Sequence, residues 1–370
     1  MRLSRQPLLG LVTTVLIIAI SMAFISLFDA DVFGTWVAFY VMCAIPFTFV
    51  VGAFWHGQHP VRIAWMRQPW RGIAYLALAA VVAAIVGTVL LMTVGAGLTP
   101  PTPMVTQCVI ISVPFSFWFT VMWGGWPFTK MRSPLLGGVL VLVATYGLAA
   151  LVFRLFNFSF LAGAPVYSAA GDPQGPFDAW SVLLLVVTSM AAAFLLAHFD
   201  LWPLNRRPGL MKQPVLGVLW TVIAVAIATI AMYLGLHFAD MPPPQFLTTV
   251  PVPFLFGSIV VINVFQGSLF TTIAQPLRGL VSALVAAIVG LALARLYMSL
   301  SGLVSGDQVF GAPGFAGEIW LANALLAVTF PFLAFFGDFF QSWPFRRDPE
   351  QVDEDADVPA GVRELREAIE

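Results

Sequence analysis

Five times along the chain a polar residue is followed by proline, two more residues and glycine, and then by a long apolar run. The copies are Gln6-Pro7 to Gly10, Gln68-Pro69 to Gly72, Ser133-Pro134 to Gly137, Gln213-Pro214 to Gly217 and Gln275-Pro276 to Gly279. Between successive copies there is room for two membrane-spanning helices, since a helix crosses the hydrocarbon core with roughly 20 residues. A chain punctuated in this way is expected to fold as five tandem helical hairpins, each returning to the side it left.

Of the 370 residues, 60% are hydrophobic and 9% charged, too much apolar surface for a soluble domain to bury. With lipid as solvent, every backbone polar group must pair internally, and long apolar runs without strand-like alternation select helices over a barrel. Ten spans are expected near 8–28, 35–56, 70–92, 105–126, 135–156, 178–200, 214–237, 247–270, 277–299 and 318–341. The fold class is therefore an all-α polytopic membrane protein.

Short loops rich in Lys and Arg stay on the cytoplasmic side. Arg2 and Arg5 precede the first span. Arg62, Arg67, Arg71, Lys130, Arg132, Arg206, Arg207, Lys212, Arg278, Arg346 and Arg347 follow even-numbered spans, and Arg363 and Arg366 lie in the tail. Of the 17 basic residues only Arg154 and Arg295 fall on the other side. This predicts a multi-pass protein of the cytoplasmic (inner) membrane with both termini cytoplasmic. The basic start and apolar run outline a signal peptide. However, no small-x-small cleavage site follows, and Gln6-Pro7 to Gly10 matches the later hairpin openings, so the segment is assigned to the fold. Cys43 and Cys108 fall inside spans and are expected to be small core residues.

A longer period overlies the hairpins. Arg154-Leu155-Phe156 recurs as Arg295-Leu296-Tyr297, Asp178-Ala179-Trp180 as Glu318-Ile319-Trp320, and Trp202-Pro203 with Arg206-Arg207 as Trp343-Pro344 with Arg346-Arg347. The sequence thus divides into a ten-helix domain over 1–347 and an acidic tail over 348–370. The domain comprises a first hairpin at 1–66, repeat A at 67–207 and repeat B at 208–347. Each repeat has an even number of spans, which places the symmetry axis along the membrane normal, with a path along it. The tail, with Asp353-Glu354-Asp355, is expected to be disordered, docking of a partner protein being the alternative.

Pro46-Phe47, Pro114-Phe115, Pro253-Phe254 and Pro331-Phe332 recur inside even spans. An internal proline removes a hydrogen bond and kinks a helix, so these pairs are kink or gate candidates, and ordinary membrane-helix prolines if not. Ten residues further on lie His56, Gly124, Asn263 and Gln341, with Asp200 in the equivalent place in the sixth span. They form either a polar girdle or a set of helix caps. Asp200 is expected to point inward, on one face with Ser189, Ala193 and Ala197. Asp338 lies deeper, and Gln341 shares its face. A carboxylate in a bilayer is costly unless paired or wetted, which makes Asp338 a candidate for ion or proton coupling. Arg154 and Arg295 either snorkel to headgroups or form an electropositive outer mouth. His56 and His59 are spaced for metal ligation but lack accompanying ligands. His198 and Asp200, two apart, cannot act as one dyad. No phosphate loop, nucleophile motif or haem-ligand pair is seen, so no catalytic residue, metal or cofactor is assigned, and no nucleic acid.

Ten helices from five hairpins resembles the layout of the tellurite-resistance and plant guard-cell anion-channel family. The likeness is one of layout: that family's motifs are not matched residue by residue, and a duplication of helices 3–6 departs from it. The function expected is passage of a small solute or ion. The alternatives are a non-transporting scaffold holding lipid or partner helices, and an intramembrane lipid-modifying enzyme requiring His198, His56 or Asp338 to converge.

Overall fold

The computed structural model describes residues 7–265, 269–270, 272–305 and 316–345. Arg2, Arg5, Gln6, Arg346, Arg347 and the acidic tail lie outside them. Among the described residues ten helices are long and apolar enough to cross a membrane, the make-up of a multi-pass membrane protein. They are α1 (Leu8–Ile25), α2 (Ala30–Phe54), α3 (Trp70–Thr93), α4 (Pro103–Met122), α5 (Pro134–Phe153), α6 (Ala179–His198), α7 (Val215–Phe238), α8 (Pro243–Val264), α9 (Leu277–Val304) and α10 (Gly317–Phe339). Four of them start on side-chain caps: Asp29, Thr102, Ser133 and Asp178 accept from the N–H groups of Val32, Val105, Leu136 and Ser181. These residue types satisfy the donors that a helix start leaves open.

The ten helices form two layers. Even helices have 56–67% of their most apolar stretch buried inside the protein and odd helices 22–44%, so the even set is inner and the odd set outer. The even helices touch in turn, α2 to α4, α6, α8, α10 and back to α2, which closes a ring of five. Each odd helix packs outside that ring: α3 on α2 and α10, α5 on α4 and α2, α7 on α6 and α4, α9 on α8 and α6, and α1 on α10 and α8.

The close antiparallel pairs are therefore an even helix and the odd helix that follows it, whereas hairpins of an odd helix with the next even one were expected. Small residues decide this, since packing between membrane helices follows backbone approach and not chain order. Where α8 meets α9, a Cβ on Gly257 would lie 2.7 Å from the carbonyl carbon of Ala286 and 2.8 Å from the Gly290 nitrogen.

The Gln-Pro signature now has a physical cause. The Gln68 amide donates to Phe339 O at 2.9 Å, Gln213 to Met122 O at 3.0 Å and Gln275 to His198 O at 3.1 Å. The other end of each amide accepts from the glycine that closes the motif: Gly72, Gly217 and Gly279. Each glutamine thus clasps the last carbonyls of an inner helix that is not its chain neighbour. The glycines leave space for the next aromatic residue of that helix, with Phe340 over Gly72, Trp123 over Gly217 and Phe199 over Gly279. At the start of α5, where Ser133 replaces glutamine, Trp55 Nε1 donates to Pro134 O at 2.8 Å and its ring covers Gly138.

Between α5 and α6 a pair of short parallel strands, Phe156–Asn157 and Phe177–Asp178, closes a loop over buried Phe156 and Phe158. Asp172 organises it by accepting from Phe158 N, Gln174 N and the Tyr167 hydroxyl. Cys43 and Cys108 are both free and buried.

Candidate functional site

At the end of the ring where the even helices stop, a cavity of about 430 Å³ is lined by α1 and by all five even helices. Its polar lining among the described residues is Thr13, Thr48, Asn263, Asp338 and Ser342, of which Asp338 alone is ionisable. The Asp338 carboxylate sits in a notch on α2, where a Cβ on Gly52 would come within 2.5 Å of it. It makes no hydrogen bond or ion pair with any described residue.

Part of the lining is aromatic. Phe49, Phe117, Phe194 and Phe330 come from α2, α4, α6 and α10, and Ile259 of α8 takes the fifth place. Ring centroids lie 5.8 Å apart for Phe330–Phe49, 5.9 Å for Phe49–Phe117 and 4.9 Å for Phe117–Phe194, so the four rings form a continuous arc. Beyond it is a small apolar cavity of about 30 Å³, also lined by all five even helices, with Ile259 and Phe330 lining both spaces. Chemically this is a polar vestibule, a phenylalanine constriction and an apolar pocket, one behind another along the ring.

The Pro-Phe pairs lie elsewhere than expected. Pro46, Pro114, Pro253 and Pro331 are buried within the inner helices, but their phenylalanines line neither axial cavity. Phe47 packs on Trp55 and Phe339, Phe115 on Trp118, Phe254 on the His198 ring, and Phe332 on Phe24 and Phe335. In α2 and α4 the constriction residue is the phenylalanine three positions after proline. A side chain adjacent to an axis-facing proline is turned about 100° away, whereas one three residues on returns to the same face.

The polar girdle is resolved into helix ends. Turns with wide, five-residue hydrogen bonding run over Val50–Phe54, Trp118–Met122, Ile259–Val264 and Phe335–Phe339. His56, Gly124, Asp200 and Gln341 then take left-handed φ values of 49°, 52°, 51° and 51°, where short polar residues and glycine are favoured. Asn263 is the one girdle residue in the vestibule wall.

Asp200 does not continue the inward face of α6, because the helix ends at His198 and the chain turns over before reaching it. Its carboxylate accepts from Gln275 at 2.8 Å and pairs with Arg278 at 3.6 Å. Gln341 likewise leaves the Asp338 face and meets Arg71, while Ser342 reaches the vestibule. His56, Arg154 and Arg295 are exposed and outside the vestibule wall. His198 is buried on its own between Ser258 at 3.0 Å and Ser282 at 2.8 Å, joining α6, α8 and α9. No group of three or more His, Cys, Asp or Glu among the described residues is placed to hold a metal ion.

Nothing in the apolar runs singles out Phe49, Phe117, Phe194 and Phe330, which are four among 33 phenylalanines. For Phe49 and Phe117 the signal is their place three residues after proline, read with the helical period; α6 has no proline to mark Phe194, and Phe330 directly precedes Pro331. Comparison of the chain with protein-family models, with curated proteins and with solved structures yields no match.

Proposed function

We propose that the protein passes a small solute along the axis of the five-helix ring, in a cytoplasmic membrane, with both termini and the vestibule on the cytoplasmic side. The observation that carries this is the vestibule, which is built from every inner helix and ends on an arc of four phenylalanine rings. Hydrophobic constrictions of this kind gate by excluding water until the side chains move. On this account Asp338 tunes ion or proton coupling, since among the described residues it is the one charge that a passing solute meets in the wall. Phe49, Phe117, Phe194 and Phe330 close the path in the role first given to Phe47, Phe115, Phe254 and Phe332. The prolines position the widened turns that follow. We read the five-part plan as repetition of one building block, an even helix, a basic-side turn and an odd helix, with α7–α10 a copy of α3–α6.

The test is uptake by proteoliposomes of a panel of small cationic, anionic and neutral solutes. Flux above that of empty liposomes, altered in Asp338→Asn at an unchanged inserted fraction, supports passage. No flux of any solute, in wild type or in Phe117→Ala, removes it.

One observation favours a scaffold instead. A lipid-facing apolar groove of about 170 Å³ between α4, α6 and α7, lined by Phe115, Trp118 and Val225, has room for part of an acyl chain. That role predicts lipid retained through purification and no solute flux.

A further inference from the structure

We propose that the vestibule binds a small organic cation, an amine or quaternary ammonium group held between the Asp338 carboxylate and the phenylalanine arc. This rests on the reading of the vestibule as a solute site and names the chemistry of that solute. A volume of about 430 Å³ falls in the range of small-ligand pockets, roughly 300–1,000 Å³.

Three features of the wall select positive charge. Among the described residues the only charged group lining the cavity is a carboxylate, and no described lysine or arginine lines it. That carboxylate is unpartnered among the described residues although it lies within the apolar span of α10. A carboxylate so placed is costly until it is paired or wetted, so the position lacks a cation and has space beside it to take one. The third feature is the arc of Phe49, Phe117, Phe194 and Phe330 behind it, since aromatic faces attract ammonium groups, most strongly where water is excluded.

Two described arginines at the basic-side helix starts do not oppose this. Arg71 is spent on Gly57 O at 2.7 Å and on Gln341, and Arg278 on Asp200. A compact metal ion fits less well, because among the described residues no second carboxylate, histidine or cysteine shares the wall and hard cations need several oxygen ligands. Gly52 is part of the site, since it gives the Asp338 side chain its seat.

The experiment uses the full chain in lipid nanodiscs and titrates it calorimetrically with tetramethylammonium, choline and 3,3-dimethylbutan-1-ol, the last a neutral copy of choline in shape. The expected result is saturable binding of both cations, mutually competitive, with the neutral alcohol at least about tenfold weaker, as loss of a charge contact implies. Asp338→Asn should weaken choline by about tenfold or more. Gly52→Ala, which pushes the carboxylate off its seat, should weaken it without removing the charge. Phe117→Ala should cost a few-fold, about fivefold for one lost ring. Equal binding of choline and its neutral copy, or choline binding unchanged in Asp338→Asn, overturns the inference. The two readings fail separately. Charge-dependent binding without flux through liposomes leaves the cation site standing and removes transport, while flux of anions or neutral solutes without charge-dependent binding does the reverse.

Discussion

The contact between α8 and α9 gives a sharp test of how the ring is assembled. A Cβ on Gly290 would lie 2.5 Å from the carbonyl carbon of Pro253 and closer still to its oxygen. Ordinary contact begins near 3.4 Å, so Gly290→Ala requires the two backbones to part by more than about 1 Å. The obstacle is main chain, which no rotamer change moves, and overpacking of this type costs about 1–3 kcal/mol. Alanine recovers up to about 1 kcal/mol of helix propensity, which leaves a net loss of up to about 2 kcal/mol, toward the upper end because the obstacle is main chain. Gly147 on α5 is the internal control, since a Cβ there meets nothing within 4 Å. Gly147→Ala should therefore be neutral or stabilise by up to about 1 kcal/mol. Unfolding of the two variants and wild type in mixed detergent micelles, followed by tryptophan fluorescence, ranks them. Loss of stability in Gly290→Ala with none in Gly147→Ala is expected. Equal midpoints for Gly290→Ala and wild type would refute the close approach of α8 and α9, and with it the pairing of each even helix with its successor.

Gln213→Ala and Gln275→Ala each remove a clasp on an inner helix end, and should each cost about 1–3 kcal/mol by the same unfolding assay, as expected for a polar partner left unmatched. Asp338→Asn should insert and unfold like wild type, because no described residue bonds to that carboxylate; a large stability loss in the same assay would show a hidden partner. In the α5–α6 loop, donation to Asp172 holds the Tyr167 hydroxyl above the usual tyrosine range, so the bond contributes below pH 10 and is lost as pH rises through the raised value. Proteolysis of that loop should accelerate at strongly alkaline pH in wild type and be less pH-sensitive in Tyr167→Phe.

Much of the architecture was legible because lipid leaves few options. Apolar run length gave ten spans within a few residues of α1–α10, since a helix must cross a fixed thickness. What the runs do not encode is which helices touch. The inner role of the even helices shows only when Gln68, Gln213 and Gln275 are seen bonded to α10, α4 and α6, over separations of up to 271 residues. The site was half legible. Asp338 stood out because a carboxylate in an apolar run demands explanation, and it does line the vestibule. Asp200 and Gln341 misled because a regular helix was extended through them, while α6 ends at His198, α10 widens over its last turn, and the backbone is left-handed at both residues. The constriction residues were hidden because one phenylalanine in an apolar run resembles any other until the ring is closed.

The central claim, that an axial path is closed by phenylalanines, is tested most directly by flux of a small organic cation through proteoliposomes carrying Phe117→Ala or Phe330→Ala, with Phe47→Ala as control. Opening the arc should raise flux at least about tenfold over wild type, as for a hydrophobic gate that wets, while Phe47→Ala, packed on Trp55 and Phe339 away from the axis, leaves it unchanged. Flux that stays at the empty-liposome level in both arc variants, with the proteins folded and inserted, would contradict it.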